Sequence, residues 1–242
     1  MWIAFRADDN NNIKASGLMM KNWVTAAAFA AAMVCGPAFA TDFSFQGTFN
    51  QDDDVQQFLF TTTGSSDVIL RSWGYAGGVN AAGDTIAAGG FDPILALFNA
   101  TTGELIGSND DDTTGTVASD PVTHEAYDTY LDVGMLLAGQ YIVTIMQYDN
   151  FAIGPFLSDG FTRSGEGNFT GNPGFTDCPD NQPAFNDVSD VQGCGRTSAW
   201  AFDILGVESA VVPPSNGVPE PLTLSLLATG LAGLGMLRKR KA

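Results

Sequence analysis

Val55-Gln56-Gln57-Phe58-Leu59-Phe60-Thr61-Thr62-Thr63, then Gly64-Ser65-Ser66-Asp67, then Val68-Ile69-Leu70-Arg71-Ser72-Trp73-Gly74-Tyr75, decide the fold class. Phe58 and Phe60 recur at every second residue, and Val68, Leu70 and Ser72 alternate with Ile69, Arg71, Trp73 and Tyr75. Period two is the mark of a pleated strand, whose successive side chains leave on opposite faces. The Gly-Ser-Ser-Asp between the two runs is turn chemistry. The same reading extends outward in both directions. Phe43, Phe45 and Phe49 fall on odd positions of Asp42–Phe49; Ile94–Phe98 is a short apolar run; Tyr141–Tyr148 is β-branched and aromatic; Trp200–Val207 closes the set. No 3.6-residue period is sustained through this region. Short strands divided by Gly, Asn, Asp and Ser clusters predict an all-β domain over 41–210, an antiparallel β-sandwich or jelly roll. Two polar, glycine-rich stretches, Gly74 to Gly90 and Asp159 to Gly195, are long for bare connections; they read as binding loops or as plain surface insertions.

Charge narrows the partners. The chain of 242 residues has a formal net charge of −17, and between Thr41 and Gly217 there are 24 Asp and Glu against three Arg (Arg71, Arg163, Arg196) and no Lys. Nucleic acid is bound by cations that displace its counterions, so such a surface excludes it as a partner and suits an exported protein or one that takes up divalent cations. Seventeen Phe and four Trp argue against acidic disorder.

Both ends read as targeting segments. Lys21, the apolar Trp23 to Val34 and the small-x-small ending of Pro37-Ala38-Phe39-Ala40 form a secretory signal peptide over 19–40, cleaved by signal peptidase after Ala40. Residues 1–18, with Asp8-Asp9-Asn10-Asn11-Asn12, read as a misassigned start. Cys35 leaves with the signal, so Cys178 and Cys194 remain as an even pair in an oxidising compartment and are expected to form a disulfide. At the other end, 211–217 is a linker, and 218–242 has three parts. These are Pro219-Glu220-Pro221, the apolar Leu222 to Leu237, and Arg238-Lys239-Arg240-Lys241. The prolines keep the motif out of the helix. The apolar run of 16 residues is a little short of the ~20 that span a bilayer, and snorkelling Arg and Lys extend it. The basic end stays cytoplasmic. The chain is thus expected to be anchored in the inner membrane by one transmembrane helix.

This ending resembles the PEP-CTERM sorting signal of Gram-negative bacteria that make extracellular polysaccharide. The resemblance implies that exosortase, a membrane transpeptidase, recognises Pro219, Glu220 and Pro221 and passes the protein on to the cell surface or extracellular matrix.

Two acidic runs lie beside expected strands: Asp52, Asp53 and Asp54, and Asn109, Asp110, Asp111 and Asp112. Dense carboxylates on loops supply the hard oxygens that calcium requires, although neither run has the spacing of an EF-hand loop; the other reading is a solvated acidic turn. Phe45-Gln46-Gly47, Asp52 to Phe60, Leu95-Ala96-Leu97-Phe98, Thr102 to Ile106 and Ala138 to Val143 resemble bacterial pre-peptidase C-terminal domains. These are small β-sandwiches, some with calcium at acidic loops. Gly89-Gly90-Phe91-Asp92-Pro93 is similar to a feature of stand-alone exported PEP-CTERM proteins.

No P-loop, dinucleotide fingerprint, HExxH or Gly-x-Ser-x-Gly elbow is present, and the only His is His124. The sequence therefore predicts an exported, exosortase-sorted surface or matrix protein without catalytic activity, associated with exopolysaccharide or the envelope. The alternatives are a calcium- or carbohydrate-binding adhesion module and a secreted glycan hydrolase.

Overall fold

The structure is a computed structural model that describes residues 40–176, 178, 182–188 and 191–213. The signal peptide, the residues before it, Pro219, Glu220, Pro221 and the expected transmembrane helix lie outside the described residues. Among those described, no helix is long and apolar enough to cross a membrane.

Eleven strands follow in chain order: β1 (Thr41–Thr48), β2 (Gln56–Thr62), β3 (Ser66–Ser72), β4 (Gly78–Val79), β5 (Thr85–Ile86), β6 (Pro93–Asn99), β7 (Leu105–Asn109), β8 (Tyr130–Leu136), β9 (Gly139–Gln147), β10 (Ala199–Val207) and β11 (Ser209–Val211). They form a four-stranded sheet ordered β1-β10-β3-β8, a five-stranded sheet ordered β11-β2-β9-β6-β7, and the small β4-β5 hairpin. Every strand pairing within the sheets is antiparallel. The alternation in β2 and β3 does what its period requires: Phe58, Phe60, Val68 and Leu70 are fully buried in one core cluster. That cluster also holds Leu95, Leu97, Val143 and Ile145 of the five-stranded sheet and Trp200, Phe202 and Ile204 of the four-stranded one, so the two sheets pack face to face. Aromatic rings bind the centre. Phe58 meets Phe45 at 4.6 Å and Phe202 at 4.7 Å between centroids, and Trp200 at 5.6 Å edge-on.

The two glycine-rich insertions cover sheets. Residues 74–90 fold back over the outer face of the four-stranded sheet around the buried Asp203. Its carboxylate accepts from Trp73 Nε1 at 2.7 Å, Ala81 N at 2.9 Å and Ser44 Oγ at 2.6 Å. Gly90 closes this cover: a Cβ there would lie 2.4 Å from the Ala199 carbonyl oxygen and 2.6 Å from that of Gly74, so only glycine fits. The segment after β9 covers the outer face of the five-stranded sheet, where Ile94, Ala96, Phe98, Met146 and Phe161 form a second cluster flanked by Phe151 and Leu157. This is why Ile94–Phe98 reads as a continuous apolar run: it is buried on both faces.

Within that second cover, Cys178 and Cys194 form a disulfide with Cα atoms 5.6 Å apart. Closing this loop of 16-residue separation is worth roughly 3 kcal/mol in the chain-entropy model. Cys178→Ser is therefore expected to lower unfolding stability by about 3 kcal/mol in urea titrations. Thiol labelling of the unreduced wild-type protein should modify neither residue; labelling of both would contradict the pairing.

Candidate functional site

One end of the sandwich collects most of the polar chemistry. There β3, β7 and β9 finish while β6 and β8 begin, because β6 runs antiparallel to both β7 and β9, and β8 to β3. Asp92 sits just before Pro93, which opens β6 opposite Gln147 at the end of β9, and the backbone N–H of Tyr148 donates to the Asp92 carbonyl at 2.9 Å. Asn109 and Asp110 lie at the end of β7, where Asn109 Oδ1 accepts from Tyr130 N at 3.3 Å and ties this sheet to β8 of the other. Asp128 and Thr129 lead into β8. The segment Phe185-Asn186-Asp187 crosses the same end: Gln147 Nε2 donates to the Asn186 carbonyl at 3.2 Å, and the Tyr75 hydroxyl donates to Asp187 Oδ2 at 2.9 Å.

Most acids here are held by donors on the chain itself. Asp52 is fully buried between two parts of the second cover. Its Oδ1 accepts from Phe185 N at 2.8 Å, and its Oδ2 from Thr170 N at 2.8 Å and from the Thr170 hydroxyl. Burial raises its pKa all the same, against the effect of those bonds. Asp53 Oδ2 accepts from Gly165 N and Gly167 N, and Asp54 Oδ2 from Asn50 N and Gln51 N. The three consecutive carboxylates therefore each hold different amides. Asp112 turns its own loop: Thr114 N and Oγ1, Thr116 N and Val117 N all donate to it. Burial alone would raise its pKa, but those donors outweigh it and hold the carboxyl below its ordinary value. Asp128 accepts from Ser72 Oγ, Tyr75 N and Ala76 N, and burial still raises it.

One deeply buried acid has a cation. Arg196, 6 % exposed, donates to Asp120 Oδ2 at 3.1 Å, with Asp120 1 % exposed. The same guanidinium donates to the carbonyls of Gly90 and Tyr75 and lies 3.6 Å above the Tyr75 ring. Burial would raise Asp120, but Arg196 and the amides of Thr123 and Val122 outweigh it and hold the pKa down.

Asp92 is the most deeply buried of the exceptions. It is 7 % exposed, and its Oδ1 has no hydrogen-bond partner. Burial, then Asp187, Asp111, Asp110 and Asp128, push its pKa well above the usual carboxylate range, so every leading influence on it favours the neutral acid. Nearby, Asp111 is pushed up to about 6 by partial burial, then by Asp110, Asp187 and Glu125, and its Oδ1 is also buried without a partner. Tyr127 is pushed up to about 12 by burial and by Asp187, Glu125, Asp92 and Asp111. Among the described residues no three Asp, Glu, His or Cys side chains lie close enough to hold a metal by themselves.

Of the residues singled out by sequence, Asn109 to Asp111 reach this cluster. Asp52 to Asp54 stand at the same end of the sandwich, but they are not among the acids acting most on Asp92. Asp92, Gln147 and Asp187 are additions. Asp92 could have been found from Gly89 to Pro93, where two glycines and a proline fix the backbone around an acid. Gln147 could have been found as an amide on the core-facing rank of an otherwise apolar strand. His124 is exposed on a turn with φ 66° and takes no part.

The pairing of Arg196 makes a signed prediction. Arg196→Ala leaves Asp120 buried and uncompensated, at an expected cost of about 3–5 kcal/mol at neutral pH in urea titrations. A depressed carboxyl adds stability that is present above its unfolded pKa and lost as pH falls through its folded one. The variant's Asp120, without the cation, takes up its proton at higher pH. The penalty should therefore shrink steadily on acidification, and a pH-independent penalty would contradict the assignment.

No protein-family model matches this chain, and no curated protein gives a significant match to it.

Proposed function

We propose that this is an exported surface protein, sorted by exosortase, whose β-sandwich serves as a non-catalytic module of the envelope or exopolysaccharide matrix. The observation that carries the reading is the order of Pro219-Glu220-Pro221, a 16-residue apolar run and four basic residues. Two features of the ectodomain support it. The Cys178–Cys194 disulfide suits an oxidising compartment. The excess of acids over Arg gives a surface that stays clear of anionic polymers unless a divalent cation bridges them.

A second reading, a cation-binding adhesion module, is favoured by the unpartnered acid Asp92. Glycan binding by stacking has less behind it. Of the well-exposed large apolar side chains among the described residues only Phe156 is aromatic. An open groove of about 350 Å³ beside Trp200 is lined by Gln46, Thr48, Thr85 and Ile86 and by no carboxylate, so it offers a glycan hydrolase no acid pair.

Replacing Pro219-Glu220-Pro221 by three alanines is expected to leave export intact and to block removal of the tail. Mass spectrometry of the mature protein from its own host decides this. A wild-type chain still ending at Ala242 would overturn the sorting reading.

A further inference from the structure

The described residues contain four buried side-chain oxygens without a hydrogen-bond partner, and all four belong to the same end of the sandwich: Asp92 Oδ1, Asp111 Oδ1, Thr129 Oγ1 and Gln147 Oε1. The three remaining unpartnered atoms, Arg71 Nε, Arg163 Nε and Trp200 Nε1, are nitrogen donors on other residues. Buried polar atoms are almost always paired, so the acceptor oxygens of Asp92, Asp111 and Gln147, left without donors at one end of the sandwich, call for an electropositive partner.

Gln147 is the independent witness. Its side chain is 1 % exposed, and its amide orientation is fixed because Nε2 must face the Asn186 carbonyl, an acceptor. Oε1 is thereby turned away from that bond. Strand register sets Gln147 opposite Pro93, next to Asp92, and its amide bond sets it against the residue before Asp187. An apolar side chain would fill this core-facing position without leaving an oxygen exposed to a dry interior.

We propose that this end of the sandwich is a divalent-cation site, calcium by its chemistry, with Asp92 Oδ1, Asp111 Oδ1 and Gln147 Oε1 as protein ligands. The inference deepens the second reading above and stands apart from tail sorting. Carboxylate and amide oxygens without His or thiolate select a hard cation. Since no three acids converge, calcium's six to eight positions must be completed by backbone carbonyls and water. This places the affinity with extracellular calcium modules, whose dissociation constants are ~0.1–1 mM.

The test uses the full chain purified in detergent, unfolded thermally in chelator, in about 5 mM calcium chloride and in sodium chloride of equal ionic strength; the calcium lies well above those constants. Saturable terbium luminescence, sensitised by Tyr127 and Tyr148 and displaced by calcium, gives a second readout. The expected result is a calcium-specific rise in midpoint that is lost, with the terbium signal, in both Asp92→Asn and Asp111→Asn and kept in Asp54→Asn. Asp111 is only partly buried, so Asp111→Asn serves if Asp92→Asn does not fold. Equal shifts in calcium and sodium chloride would overturn both the site and the second reading. A calcium-specific rise that survives both variants, or is lost only in Asp54→Asn, would overturn the site and leave calcium binding standing elsewhere.

Discussion

A shortage of cations shapes this protein throughout. Two dozen acids share a domain with three arginines, so a buried carboxylate can seldom be neutralised by an ion pair. It must be solvated by backbone N–H and hydroxyl groups. Asp203, Asp52, Asp112 and Asp128 all take this route, and each gathers a stretch of irregular chain around itself in doing so. Asp203, Asp128 and Asp52 are thus organising centres of the covers that bury the outer faces of the two sheets. The one deep ion pair, Arg196 with Asp120, fastens the Gly90 bend, the turn after β3 and the 120–125 loop together. Set against acids this thoroughly provided for, an Asp92 oxygen with no donor stands out.

Much of the sandwich was legible in the sequence because the inner faces obey period two. Phe58 with Phe60 and Val68 with Leu70 are buried alternately as read, and six of the strands lie where the pattern puts them. β7 and β8 escaped for a physical reason. Both are sheet edges, half exposed, and β8 contains Gly134 at φ 68° beside a register shift against β3, which breaks the alternation. β11, three residues long, carries too little pattern to read.

The site was legible only in part. Asn109 to Asp111 announced themselves as an acidic run, and so did Asp52 to Asp54, yet composition does not tell a carboxylate that caps an amide from one that waits for a ligand. That distinction needs the long-range contacts: Asp52 with Phe185, 133 residues away, or Gln147 with Asn186. The same contacts recast the two glycine-rich insertions, which serve as structured covers over the sheets. In the exported module proposed above, a weak cation site formed by three strand ends and the crossing 185–187 segment would link the order of that end to the ionic surroundings of the protein.

Everything proposed for this end of the sandwich turns on whether Asp92 Oδ1 takes a cation. A crystal structure of the mature chain grown with calcium tests it most directly. The prediction is anomalous density about 2.3–2.6 Å from Asp92 Oδ1 and Gln147 Oε1, with further oxygens around it. A hydrogen-bond donor from the chain, or an ordered water, on Asp92 Oδ1 with no metal density beside it would rule out the site.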